Sequence, residues 1–199
     1  MKELIVFLSF FQYVPYFISL CRGQSLPSVS GWFCFAMSLF VTMIASISLG
    51  TYSILIACGL SFLCQVSIIV VGLIRGVALK PDRVEQFILC FVCLSILLWF
   101  FTGQASLAIY LNILVDVLGT AMILKKLSHL PATESPSTWL IGTLGSGLAV
   151  WYFYAESGAS FYYLITVFLS NLSVFLLILL QGIRIRMKPG DNDVTNSIE

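Results

Sequence analysis

Charge is scarce in this sequence. Only 10% of its 199 residues are Asp, Glu, Lys or Arg, against 59% hydrophobic residues, and the formal net charge is +1. A soluble domain of this length needs far more charge to cover its surface, so the expected solvent for most of the chain is lipid. The near-zero balance supplies no overall field for nucleic acid, and no nucleic-acid partner is expected. Histidine occurs once, as His129, in what reads as a solvated loop near Glu134. HExxH, GxSxG and Walker-type phosphate loops are all missing, so the chain is not expected to be an enzyme, and no metal or other cofactor is expected. Cysteine is confined to the first half, at positions 21, 34, 58, 64, 90 and 93, inside or beside apolar runs, unlike a secreted disulfide framework. The CxxC formed by Cys90 and Cys93 has no histidine or second pair nearby and reads as apolar packing.

What the chain does have is long apolar runs. Seven of them, at roughly 3–21, 29–49, 52–74, 85–101, 104–124, 138–154 and 159–183, are separated by short polar or Gly/Pro breaks. Each approaches the ~20 residues that cross a ~30 Å hydrocarbon core as a helix. Backbone groups cannot stay unpaired in lipid, and the runs are too long and too little alternating for barrel strands. The fold class expected is therefore an all-α integral membrane protein with seven transmembrane helices. Lys2 and Glu3 before the first run resemble the start of a signal peptide, but no small-residue cleavage site follows and the run reads as a retained helix.

Lys and Arg set the orientation. Arg22, Arg75, Lys80, Arg83, Lys125, Lys126, Arg184, Arg186 and Lys188 fall on one side of a seven-span chain, and Lys2 alone on the other. Positive residues collect in the cytoplasm, which predicts an outside N-terminus and a cytoplasmic C-terminus. The tail from Lys188 is polar and expected to be disordered. Short loops throughout suggest a bacterial inner (cell) membrane.

The two halves echo each other. Trp32 and Trp139 each follow a serine by two residues (Ser30, Ser137) with a proline upstream (Pro27, Pro136). Arg22 matches Lys125, Gly50 matches Gly158, and Arg75 matches Arg184. Three helices, a linker helix and three helices give both halves the same orientation, as parallel repeats about an axis along the membrane normal. The boundaries expected are 1–76 for the first three-helix repeat, 77–103 for the linker helix, 104–186 for the second repeat and 187–199 for the polar tail.

The stretch QYVPYFISLCRGQSLPSVSGW, from Gln12 to Trp32, carries a proline in the first helix, a basic end and a Pro/Ser loop. With the 3+1+3 order it resembles the SWEET and PQ-loop transporter superfamily, and in particular a group of small bacterial seven-helix proteins without an assigned substrate. That resemblance implies transport by alternating access between two triple-helix bundles. The Pro-Gln dipeptide of the family is not intact: the first half has Val14-Pro15-Tyr16 and the second has Leu118-Gly119. The resemblance makes Pro15 and Gly119 the candidate hinges. It also makes Asn171 a sugar-binding candidate, since SWEET-like proteins use an asparagine on this helix; its counterpart lies near Leu63, and Gln65 is the nearest amide.

Asp116 is the sharpest signal, a carboxylate between Val115 and Val117 within an apolar run. Such a group costs about 2.5–3.5 kcal/mol on insertion scales, so it should face the bundle interior or a water-filled cavity, as a solute-binding or proton-titrating residue. Asn112 one turn earlier and Gly119 one step later share its face. In the first helix Gln12 and Tyr16, with Pro15 between them, make a polar face on a kinked helix. The substrate-binding set expected is thus Gln12, Tyr16, Asn112, Asp116 and Asn171. Trp32 and Trp139 read as interfacial anchors, and Gly142, Gly145 and Gly147 as sites of close helix approach. The leading expectation is transport of a small polar solute, sugar- or metabolite-like, with proton coupling open. The alternative is a non-transporting receptor or scaffold that binds a partner at its basic cytoplasmic face. Expected partners are the solute and membrane lipid; a homo-oligomer is left open.

Overall fold

The computed structural model describes residues 1–48, 55–76, 82–154 and 159–186. Gly50, Gly158, Lys80 and the polar tail 187–199 lie outside them. All the regular structure among the described residues is helical: α1 (Lys2–Phe11), α2 (Tyr13–Cys21), α3 (Val29–Ser48), α4 (Leu55–Ile74), α5 (Arg83–Thr102), α6 (Ala105–His129), α7 (Pro136–Tyr152) and α8 (Ala159–Arg186).

α1 and α2 are two pieces of one rod. Regular helix lapses at Gln12, three residues before Pro15, whose nitrogen cannot donate to the Phe11 carbonyl and whose ring crowds it. α3 starts where the Ser28 hydroxyl accepts from the Gly31 N–H at 3.3 Å. α5 starts at Asp82, whose carboxylate accepts from the Glu85 N–H at 2.9 Å, and stops at Gly103 in the left-handed conformation. α7 opens on Pro136, where a missing N–H costs nothing. α6 runs five residues past the expected end of the fifth apolar run, because Leu127 is buried and carries the helix on. His129 is consequently the exposed last residue of α6 rather than part of a loop.

Helix neighbours form a closed ring: α1 touches α4 and α7, α3 touches α4 and α6, and α8 lies against α6 and α7. α5 packs outside the ring on α3 and α6. Glycines bring three of these pairs close. A Cβ on Gly119 would sit 2.9 Å from Cys34 Cβ, and one on Gly31 would sit 2.8 Å from Ile123, so α3 and α6 cross with backbones near contact. α6 runs unbroken through Gly119, whose missing side chain serves this approach. Gly145 of α7 lies under Leu8 of α1, and Gly147 under Phe168 of α8.

Polarity is inverted relative to a water-soluble protein. Phe87, Phe100 and Phe101 are more than 70% exposed, whereas Asn112, Asp116 and Gln65 are buried. Lys2–Cys21, Arg83–Thr102 and Phe161–Ile183 are each long and apolar enough to cross a membrane, with mean hydropathy of 1.8, 2.2 and 2.4. Val29–Ile44 and Cys58–Ile74 are shorter apolar helices.

Candidate functional site

A cavity of about 210 Å³ lies among α1, α2, α3, α4, α6, α7 and α8. Gln12, Asp116 and Asn171 line it together. They come from the α1–α2 junction, α6 and α8, each being a polar residue within an apolar stretch that is turned to the interior of the bundle.

Gln12 and Asn171 are held in the same way. The Gln12 amide nitrogen donates back to the Ser9 carbonyl at 2.7 Å, and the Asn171 amide nitrogen donates to the Val167 carbonyl at 2.8 Å. Turning either amide around would set oxygen against oxygen, so the geometry fixes which end faces inward. Both amide oxygens then point at Gly142, where a Cβ would lie 2.4 Å from each. Gly142 is therefore needed for a reason beyond helix approach: any side chain there would fill the space between two acceptors.

Asp116 is 5% exposed and lies near the hydroxyls of Ser38 and Tyr163, which are 3.4 Å from each other. Asn112 is placed elsewhere. Its amide faces α3 and donates to the Ser38 carbonyl at 3.2 Å and to the Thr42 hydroxyl at 3.0 Å, so it clamps α6 to α3 and does not line the cavity. The four residues from Asn112 to Asp116 carry about 40° of rotation beyond a full turn, which separates the two directions.

Tyr16 also lies off the cavity, one layer below it. Its ring is fully buried and its hydroxyl accepts from Trp32 Nε1 at 3.1 Å. Trp32 and Trp139 form the layer between, with ring centroids 6.0 Å apart, and both line the cavity. At 3% and 4% exposed they are interior residues rather than interfacial anchors. Their position in the first turn of α3 and α7 suits either role; burial against each other decides it.

Beneath the tryptophans the loops at the Lys/Arg-rich end are locked together. Trp139 Nε1 donates to Glu134 at 3.3 Å, and the buried Glu134 carboxylate pairs with Lys126. Lys126 also donates to the Leu26 carbonyl, while the Leu26 N–H donates to the Thr133 carbonyl at 2.8 Å. Ala132 adopts the left-handed conformation, φ 61°, in the turn that carries Thr133 and Glu134 inward. At the same end Arg75 donates to the Leu20 and Cys21 carbonyls, capping the C-terminus of α2 from α4.

Several cavity residues had no place in the expected set: Tyr13, Gln65, Ser61, Ser170, Thr138 and Tyr163. Gln65 donates to the Tyr13 hydroxyl at 3.0 Å, and its oxygen has no hydrogen-bond partner among the described residues. The Thr138 hydroxyl is unpartnered likewise. An amide inside an apolar run is a readable signal for Gln65; tyrosine and serine occur too often as packing residues to be singled out. Among the described residues no group of three His, Cys, Asp or Glu side chains is placed to hold a metal ion. No protein-family model matches the chain, and neither a curated protein nor a solved structure matches it.

Proposed function

We propose that this chain is an integral membrane carrier for a small polar solute, built as two three-helix repeats joined by α5 and related to SWEET and PQ-loop transporters. The cavity containing Gln12, Asp116 and Asn171 carries this reading, since polar groups are gathered at the centre of an otherwise apolar helical bundle. The apolar exposed faces of α1–α2, α5 and α8 support lipid as the surrounding solvent.

The helix contacts support the repeats. Exchanging α1–α2 with α6, α3 with α7 and α4 with α8 turns the α1·α4, α3·α4 and α1·α7 contacts into α6·α8, α7·α8 and α3·α6. Matched residues converge too: Trp32 and Trp139 form one layer, and Ser61 and Ser170, related by the spacing that pairs Arg75 with Arg184, both line the cavity. The solute site would then lie where the two halves meet, which suits alternating access by rocking of one half against the other. Pro15 supplies a weak point in the first half. The tryptophan pair and the Lys126–Glu134 lock stand between the cavity and the basic end, which the Lys/Arg distribution makes cytoplasmic.

A receptor or scaffold reading asks the basic end to meet a partner. It is weakened because Arg75, Lys125 and Lys126 are already engaged by Leu20 and Cys21, by Asp82, and by Glu134. The direct test is solute flux into vesicles containing the purified protein, compared with Asp116→Asn. Transport of one solute class that falls in the variant supports the carrier. Flux equal to protein-free vesicles for sugars, amino acids, amines and nucleosides removes it.

A further inference from the structure

We infer that the cavity takes a small organic cation, such as a protonated amine or a quaternary ammonium compound, rather than a neutral sugar or an anion. This rests on the cavity being a solute site, as argued above.

Apart from hydroxyls such as that of Thr138, which donate as well as accept, the hydrogen-bonding capacity turned into the cavity is accepting. Gln12 and Asn171 have spent their amide hydrogens on their own helices, leaving two carbonyl oxygens converging over Gly142. Neither oxygen accepts a hydrogen bond among the described residues. Gln65, 93% buried, adds an oxygen with no partner. Asp116 adds a carboxylate, and no Lys, Arg or His is among the described residues lining the space. A sugar would find donors only in the hydroxyls, since the amides are locked in the accepting sense, and would leave the Asp116 carboxylate without a positive partner. An anion would face Asp116 and three amide oxygens with no compensating positive group. A protonated amine, with N–H donors and positive charge, satisfies all of them, while a quaternary ammonium ion supplies the charge alone; either relieves the burial of Asp116.

The apolar part of the lining favours the same ligand. Trp32 and Trp139 border the cavity with Tyr13 and Phe35, and aromatic faces attract cations, most strongly when water is excluded. The volume, about 210 Å³, is below the ~300–1,000 Å³ usual for drug-sized ligands, so a compact cation fits better than an extended one.

The test is equilibrium binding to the full-length purified protein, followed by tryptophan fluorescence. The probes are ethanolamine and choline as cations, glycerol and glucose as neutral polyols, and lactate as an anion. The expected result is saturable binding of a cation that no polyol or anion matches. Asp116→Asn should weaken it by roughly thirty-fold or more, as for loss of one partner of a buried charge pair. Gln12→Met keeps size and net charge, and should weaken ethanolamine binding about tenfold through loss of a charge-assisted hydrogen bond. Binding of a polyol or lactate as tight as that of the cations, no binding by either cation, or an unchanged ethanolamine affinity in Gln12→Met would overturn the assignment. Cation binding without vesicle flux would leave the ligand class standing and remove the carrier. Flux of a neutral solute without cation binding would do the reverse.

Discussion

Trp32 and Trp139, in the first turns of α3 and α7, lie with ring centroids 6.0 Å apart and planes inclined at 35°. Each indole N–H is spent on the layer beneath: Trp32 on the Tyr16 hydroxyl, Trp139 on the Glu134 carboxylate. The pair thus presents ring surface to the cavity and hydrogen bonds to α2 and to the turn before α7.

Trp32→Phe tests the hydrogen-bonded side of that layer. Phenylalanine keeps an aromatic ring toward Trp139 but leaves the buried Tyr16 hydroxyl without its donor, at a cost of about 1–3 kcal/mol. A lowered thermal midpoint in detergent is expected, and Tyr16→Phe in the same background should recover part of it, since the orphaned hydroxyl is then gone.

The Lys126–Glu134 pair is buried on the carboxylate side, with side chains 14% and 0% exposed. Breaking such a pair by removing one partner costs about 3–5 kcal/mol, while replacing both by apolar groups is often near neutral. Glu134→Leu alone should therefore destabilise more than Lys126→Met with Glu134→Leu together. A thermal-denaturation double-mutant cycle reads the coupling; additive losses would show that the two side chains act independently.

Ala132 adopts a left-handed conformation in the turn between α6 and α7. A side chain there costs of order 1 kcal/mol relative to glycine. Ala132→Gly is expected to raise the thermal midpoint by a few degrees, and a fall would show that the alanine methyl contributes packing that outweighs the strain.

At the start of α5, Asp82 is paired with Lys125 at the end of α6. The hydrogen bond from Lys125, and then that from the Glu85 N–H, hold the Asp82 carboxyl below the usual carboxylate range. A depressed folded-state value gives stability that is present above the ordinary range and is lost as pH falls through the folded value. Lys125 is raised by the same contact, so its share is lost only as pH climbs beyond the ordinary lysine range. Asp82→Asn keeps a capping oxygen and removes the charge. Its thermal midpoint should depend less on pH between about 5 and 2 than that of the native chain.

The helical class was legible in the long apolar runs. Gln12, Asp116 and Asn171 stood out as polar residues within such runs, and they meet in one cavity. What escaped the sequence depends on rotation and depth. Asn112 is one turn from Asp116 yet faces α3, and Tyr16 is one turn from Gln12 yet sits below the tryptophan layer. A tryptophan in the first turn of an apolar helix has the same sequence signature whether it faces headgroups or another tryptophan. Loops have no periodicity, so nothing in the stretch before Pro136 announces that Glu134 turns inward to meet Lys126.

The most direct measurement uses Cys58, which lines the cavity, as the only cysteine, with the other five replaced by serine or alanine. The protein is placed in sealed vesicles of known orientation and treated with a membrane-impermeant thiol reagent from one side at a time. The carrier reading predicts labelling from the side away from the basic loops, slowed by the transported solute. It also predicts labelling from the basic side once Glu134→Leu and Trp139→Ala have opened the lock. Cys58 that reacts from neither side in either protein, but reacts fully after denaturation, would mean a sealed bundle and would contradict a solute path through this cavity.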